Sequence, residues 1–366
     1  DFIPLHRPVF EGNERQYLVD CVDSNFVSSV GEKVIEFEQH CQRFTGIRHA
    51  VATVNGISAL HIALLVAGVE PGDEVITQSF NFIATVEAIL DCGAIPIIAN
   101  INDTLNLDSE ELPKLISKKT KAIMVVHIYG MPTDMKVILK LAKKYKLKII
   151  EDSAESIGLT FDNKQCGSFG DISTFSFFAN KHITTGEGGM IVTNSLKIAN
   201  RCRSLRNLFF NNERRFKHYE LGWNYRLTNL QAAIGFSQIK EIQSILKRRN
   251  HQMEYYYKLL SNNKNYKPRE FEKWCKPVHW LTTIILNKKK YRNKLISFLK
   301  RKKIDSRQMV NPINDALHIK KLIKKKYPVA NDISKRSIHL PSGLELSKKD
   351  INYIILMLNS FFQNEH

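Results

Sequence analysis

Apolar positions in the first 190 residues follow two different periods. Seven short runs have strand length: AVATV (50–54), EVITQ (74–78), IPIIAN (95–100), AIMVVHIY (122–129), KIIED (148–152), STFSFF (173–178) and GMIVTN (189–194). Between several of them, apolar residues recur three and four apart. GISALHIALLVAGV (56–69) is one such stretch, and DMKVILKLAKKYKL (134–147), with lysines on its outer face, is another. Strands alternating with helices predict crossover units and a mostly parallel sheet covered by helices on both faces. PGDE (71–74) and CGAIP (92–96) carry the turn residues between them.

The pattern changes in the second half. A long helix is expected from Thr228 to Leu260, then a polar, turn-rich stretch, NNKNYKPREFEKWCKP (262–277). WLTTIILN (280–287) reads as a strand. KYRNKLISFLKRKKI (290–304) and KKDINYIILMLNSFFQ (348–363) read as helices. The expected organisation is an α/β domain over residues 1–240 and a smaller α+β domain over residues 241–366. No internal repeat or low-complexity tract interrupts it.

The chain is 366 residues long, enough for two such domains. No apolar stretch approaches the ~18 residues of a membrane span. The first residues lack the apolar core of a signal peptide, and a cytoplasmic location is the expectation. Cys21, Cys41, Cys92, Cys166, Cys202 and Cys275 are scattered without a CxxC pair. They read as free or buried thiols, with no disulfide and no metal site expected. Charge is divided unevenly. The net +18 arises from −7 over residues 1–190 and +25 over residues 191–366. A basic half could meet nucleic acid, acidic membranes or phosphorylated ligands. It lacks zinc-finger spacing, a basic-zipper heptad and a recognition-helix pattern. Segments such as KRKK and KKLIKKKYP therefore read as solvated surface, and no nucleic-acid partner is expected.

Five segments carry candidate chemistry. Lys181, in FSFFANKHITTGEGGM (175–190), follows an aromatic strand and precedes a glycine-rich turn. Enclosed by Phe175, Phe177 and Phe178, its amine would be a nucleophile; the plainer reading is a lysine snorkelling from a strand end. Asp152 ends the strand KIIED, where open α/β sheets place ligands. It could cap a helix over SAES, or hold a pyridine nitrogen protonated in a pyridoxal-phosphate (PLP) site. Asn55-Gly56 precedes a helix whose first amides could bind phosphate. In SFNFIAT (79–85), Phe82 is either a core residue or the stacking partner of a planar cofactor. In HYELGWNYRLTNLQAAIG (218–235), Asn224, Tyr225 and Arg226 suggest a binding loop. No G-x-G-x-x-G, P-loop, H-E-x-x-H or G-x-S-x-G motif is present, which argues against dehydrogenase, P-loop, zincin and serine-hydrolase chemistry.

Taken in order and spacing, these segments resemble the DegT/StrS family of PLP-dependent nucleotide-sugar aminotransferases. EDSAES, SNFVSSVGEKVIEFE (24–38) and HIYGMPTDM (127–135) match as well. The resemblance implies the aspartate-aminotransferase fold (PLP fold type I), with a mostly parallel sheet between helices and a smaller C-terminal domain. It implies that Lys181 holds PLP as a Schiff base, Asp152 pairs with the pyridine nitrogen and Glu155 lies near the ring hydroxyl. Phe82 would stack on the ring. Ser176 and the backbone at Gly56 and Ile57 would hold the phosphate, joined by Asn224 from the partner subunit of a homodimer. Ser28, Ser29, His218 and Arg226 match positions near the sugar nucleotide.

The implied reaction moves an amino group from glutamate to C4 of a nucleotide-linked 4-keto-6-deoxyhexose, through a pyridoxamine-phosphate (PMP) stage. The product is a 4-amino-4,6-dideoxy sugar nucleotide for bacterial surface glycan such as O-antigen. FFANK and TTGEGG are similar to perosamine synthases, which use a GDP-sugar. SNFVSSVGEKV is similar to enzymes aminating UDP-linked N-acetylhexosamines, so the nucleotide stays open. Two positions depart from the family: Ile57 stands where many members have Thr, and His182 where Thr or Ile is common. One branch replaces the lysine with His and performs a dehydration; the lysine here favours transamination. A non-catalytic regulator using the basic half is the remaining alternative.

Overall fold

The computed structural model describes residues 1–210, 216–261, 263–272, 274–323 and 325–364. All seven strand-length runs of the first half become strands of one sheet. They are β1 (His49–Thr53), β2 (Glu74–Gln78), β3 (Ile95–Ala99), β4 (Thr120–Val126), β5 (Lys148–Asp152), β8 (Ile172–Ser176) and β9 (Gly189–Thr193). A two-residue ribbon, β6 (Thr160–Phe161) and β7 (Lys164–Gln165), lies between β5 and β8. The sheet order is β1-β9-β8-β5-β4-β2-β3. The five strands from β8 to β3 are parallel neighbours, and β9 runs antiparallel between β1 and β8.

Period-two alternation explains the two covered faces. In β4, Ala122 and Met124 join the core under α3 (Gly56–Val66) and α7 (Leu196–Arg206). Ile123 and Val125 join the opposite core with α6 (Met135–Tyr145). Ala50, Ala52, Met190 and Val192 meet α2 (Glu32–Thr45) and α8 (Asn229–Lys240). This arrangement sets β1, β2, β4, β5 and β8 in one direction. Their C-terminal ends share one edge of the sheet, and the candidate residues emerge from that edge.

The expected strand 122–129 stops at Val126, because residues 128–130 form a 3-10 turn with Tyr129 in the left-handed region, φ 51°. The expected helix from Thr228 to Leu260 is two helices, α8 and α9 (Ile242–Leu260), meeting at Glu241, φ −97° and ψ 5°. Two different cores cause the break. Ile239, Ile242 and Ile245 bury against the first sheet's helices, whereas Met253, Tyr256 and Leu260 bury in a second cluster. A capping box between Thr228 and Gln231 starts α8.

The second cluster backs a four-stranded antiparallel sheet ordered β10 (Tyr266–Pro268), β11 (Thr282–Leu286), β13 (Ser337–Leu340), β12 (Arg307–Gln308). α10 (Tyr291–Arg301) and α13 (Lys348–Asn364) cover it. The N-terminus joins this unit too. Ile3 bridges Ile304, and the Ser342 amide donates to the Leu5 carbonyl at 2.7 Å. All six cysteines are free and buried. Among the described residues no group suits a metal ion, and no helix is long and apolar enough to cross a membrane.

Three histidines are withdrawn from water, His339 buried and His6 and His279 half-buried. Burial depresses His6 to about 3, helped by the Arg249 guanidinium that donates to its Nε2 at 2.8 Å. It depresses His339 to about 3 and His279 to about 4, in each case with Arg269 nearby. A histidine held neutral in the fold protonates only on unfolding below its usual ~6.5. The unfolded chain then binds more protons, and stability falls with falling pH. Stability should therefore be fullest above about pH 6.5 and drop progressively below it, by up to ~1.4 kcal/mol per pH unit per such histidine. Burial of Asp152 and Glu155 acts in the opposite sense and reduces the net slope. Urea midpoints of the cofactor-free protein at pH 7 and pH 5 test this; equal midpoints would contradict it.

Candidate active site

Lys181 lies on the connection between β8 and β9. Phe177 closes that connection by donating its amide to the Gly188 carbonyl at 2.8 Å and accepting from the Thr185 amide at 3.0 Å. The side chain is 11% exposed, and Nζ lies 3.5 Å from Glu155 Oε1. The same nitrogen sits 3.9 Å from the centre of the Trp280 ring. The enclosure thus differs from the expected one. Phe175 and Phe177 face the core, Phe178 is 44% exposed, and Glu155 and Trp280 supply the walls.

Asp152 ends β5 and is buried. Its Oδ2 accepts from Thr85 Oγ1 at 2.6 Å and its Oδ1 from the Ala154 amide at 3.2 Å. Asn81 Nδ2 donates to the same Thr85 hydroxyl at 2.5 Å, which orients it toward the carboxylate. No helix follows Asp152, so it is not an N-cap; residues 153–158 turn instead. Burial raises the Asp152 carboxyl above its usual value, and the two hydrogen bonds and the Lys181 charge oppose the rise. Glu155 is likewise raised by burial and pulled back by Lys181 and by the Tyr129 amide, which donates to its Oε2 at 2.6 Å. Two carboxyls and one ammonium therefore occupy a single buried cluster. Such a cluster can hold and move a proton.

A second layer fixes β4 and β5 below this cluster. Glu151 Oε2 accepts from His127 Nε2 at 3.0 Å. The Thr133 amide donates to His127 Nδ1 at 3.1 Å, which leaves the ring proton on Nε2. Glu151 also takes the amides of Gly167, Phe169 and Gly170.

Asn55 caps α3 by accepting the Ser58 amide at 2.8 Å. The amides of Gly56 and Ile57 have no acceptor within the helix. A Cβ on Gly56 would stand 3.3 Å from Ser176 Cβ and 3.5 Å from its Oγ. Glycine here lets the α3 N-terminus approach the end of β8. Two amides, a hydroxyl and the positive end of a helix make a cradle of the right polarity for phosphate. Ile57 brings no hydroxyl of its own.

Phe82 is 58% exposed beyond β2, whereas Phe80 fills the core. The core reading therefore belongs to Phe80, and the Phe82 ring is open to a planar partner. Ser28, His218 and Asn224 are exposed, and Ser29 and Arg226 half-buried. His218 Nδ1 meets the Leu208 carbonyl at 2.7 Å, and Arg226 donates to Asn207 Oδ1 at 2.7 Å. Within one chain, no hydrogen bond or ion pair among the described residues joins these five to Lys181. The structure unites Lys181 with Glu155 and Asp152, and Gly56 with Ser176.

The sequence reading missed three contributors. Thr85 closes the SFNFIAT segment and orients Asp152. Trp280 comes from a segment read only as a strand. Tyr129 reads in the sequence only as the end of the strand 122–129 and as part of the HIYGMPTDM resemblance. A Tyr-Gly pair after a strand hints at a turn; nothing local hints that its ring stacks on Trp280 at 5.6 Å and 21°.

Residues 8–359 match the DegT/DnrJ/EryC1/StrS aminotransferase family. This chain belongs to that family. As a DegT/DnrJ/EryC1/StrS aminotransferase of fold type I, it is a sugar aminotransferase and uses PLP. The Lys181 cluster and the α3 cradle fit that cofactor's aldehyde and phosphate. Among its relatives, GDP-perosamine synthase of Vibrio cholerae is 39% identical, covering 98% of this chain and 99% of that one. GDP-perosamine synthase of Escherichia coli O157:H7 is 37% identical over 100% of both. In structure, Helicobacter pylori PseC, an aminotransferase involved in the biosynthesis of pseudoaminic acid, is 26% identical with a TM-score of 0.94 over 100% of both chains.

Proposed function

We propose that this DegT/DnrJ/EryC1/StrS aminotransferase transfers the amino group of glutamate to C4 of a nucleotide-linked 4-keto-6-deoxyhexose, with a GDP-linked sugar as the leading candidate. The observation that carries the reading is end-to-end similarity to two GDP-perosamine synthases. The product would be a 4-amino-4,6-dideoxy sugar nucleotide for surface glycan such as O-antigen.

When bound, PLP supplies the electron sink that makes the proton on the amino-bearing carbon removable. Lys181 Nζ anchors the cofactor. Once released, it takes that proton as base and returns it as acid, in opposite senses for donor and sugar. Glu155, 3.5 Å from Nζ, keeps the amine near the ring hydroxyl. Asp152, oriented by Thr85 and the Ala154 amide, holds the pyridine nitrogen protonated. The Gly56 and Ile57 amides and the Ser176 hydroxyl grip the phosphate, and Phe82 covers one ring face. These contacts keep the cofactor bound while Lys181 is free.

Asn224 of a second protomer reaches the same phosphate, making the working unit a homodimer. Exposed Phe26, Val30, Phe216 and Leu221 support this reading, since they suit cover by another copy. Ser28, Ser29, His218 and Arg226 line the sugar-nucleotide entrance. One core cluster lies within residues 51–205 and another, apart from Ile3, within residues 253–362. They support a large domain, 1–240, and a small one, 241–366, although Ile242 and Ile245 pack with the large one and a shared cluster joins Phe80 and Tyr129 to Trp280. Six free buried cysteines suit a cytoplasmic enzyme.

The test offers glutamate with GDP-, UDP- and dTDP-linked 4-keto-6-deoxyhexoses and reads product masses. Amination in the GDP arm is expected. Amination of another nucleotide alone would remove the nucleotide assignment, and a dehydration mass would move the chain to the dehydratase branch.

A further inference from the structure

Lys181 faces Glu155 and Asp152 from the β5 end and has His182 as its chain neighbour, yet its closest aromatic contact comes from the second sheet's unit. Trp280 precedes β11, is buried, and holds Nζ 3.9 Å from its ring centre. A cation over an indole face is attracted by the ring quadrupole, most strongly where water is excluded.

The ring is held in place on two sides. Its Nε1 donates to the Asn180 carbonyl at 2.6 Å, one residue before the lysine. Its face stacks on Tyr129, whose own amide is tied to Glu155. Tyr129 keeps a left-handed backbone that a bulky residue seldom adopts. Arg269, buried, stabilises that turn by donating to the carbonyls of Ile128 at 3.2 Å and Tyr129 at 3.0 Å. Next to it, Gly130 has φ +75°, and a Cβ there would lie within 1.9 Å of the Val278 oxygen. The segment leading into Trp280 is therefore locked against the turn that carries Tyr129.

We propose that Trp280 is a positioning residue: the resting platform of the Lys181 ammonium whenever that amine is not covalently held by the cofactor. The inference rests on the reading that Lys181 is the anchor. Its consequence is a linkage. The platform stabilises the cofactor-free protein and the PMP complex, in both of which the lysine is free. It contributes less to the PLP complex, where the nitrogen is bonded to the cofactor. Removing the platform should therefore tighten PLP binding relative to PMP binding.

The experiment measures Kd for PLP and for PMP separately in wild type, Trp280→Leu and Trp280→Phe. The ratio Kd(PLP)/Kd(PMP) should fall about fivefold in Trp280→Leu and less than about twofold in Trp280→Phe, which keeps a ring face. A residue that merely fills space would shift both constants together; an unchanged or increased ratio overturns the proposal. Should Trp280→Leu fail to fold, graded fluorination of the three tryptophans keeps the shape while weakening the ring face. The ratio should then fall stepwise with fluorine number, and a flat series overturns the proposal. Borohydride reduction of the wild-type PLP complex separates the two claims. A Lys181 adduct with an unaltered ratio removes the platform alone, whereas no adduct removes the anchor reading beneath it.

Discussion

Lys181→Ala should lose at least ~10³-fold in kcat, since one substitution removes both the covalent anchor and the proton carrier. Its fold should survive, because the backbone contacts that close the 177–188 connection do not use the lysine side chain. The PLP absorbance characteristic of a lysine imine should vanish with it. Phosphate and ring contacts should still retain some cofactor. An added small amine should restore part of the turnover, as it can stand in for the missing base. Single-turnover rates with and without that amine, read beside the absorbance spectrum, make the check. Wild-type turnover in the variant without added amine would refute the assignment.

Asp152→Asn should lower kcat by about 10²–10³, the range seen when one preorganised electrostatic partner is removed. An amide of the same shape still meets the Thr85 hydroxyl, yet it cannot keep the pyridine nitrogen protonated. The structural side has the opposite sign. Burial disfavours the Asp152 charge, so neutralising it should leave thermal stability unchanged or slightly higher. Much of the cofactor should remain bound. Low activity in a stable, loaded protein is the predicted combination. A fall in activity matched by loss of fold or of cofactor would remove the electrostatic role.

The placement of these two residues at one edge of the sheet was legible in the sequence for a physical reason. Asp152 closes an apolar run, and the C-terminal edge of a buried parallel strand is where such sheets place ligands. Lys181 stands between an aromatic strand and a glycine-rich turn, a context that also suits a lysine snorkelling from a strand end. Only the neighbouring segments taken together favour the other reading. The strands were legible because residues buried on both faces give short continuous apolar runs; EVITQ and KIIED coincide with β2 and β5. The break at Glu241 was hidden, since α8 and α9 share one helical period and differ only in the core each meets. Trp280 was hidden for a related reason. Its segment has the composition of a strand, and only long-range packing, in a core shared with Phe80 and Tyr129, brings its ring to Lys181. Tyr129 was missed because its backbone is held by Arg269 and Glu155 from elsewhere in the chain.

The central claim is that position 181 supplies the nitrogen that joins protein to cofactor. Incubation with PLP, borohydride reduction, digestion and mass spectrometry test it most directly. A single pyridoxyl group on the peptide containing Lys181 is the predicted result. A reduced adduct on any other lysine, with none at this one, would contradict the account.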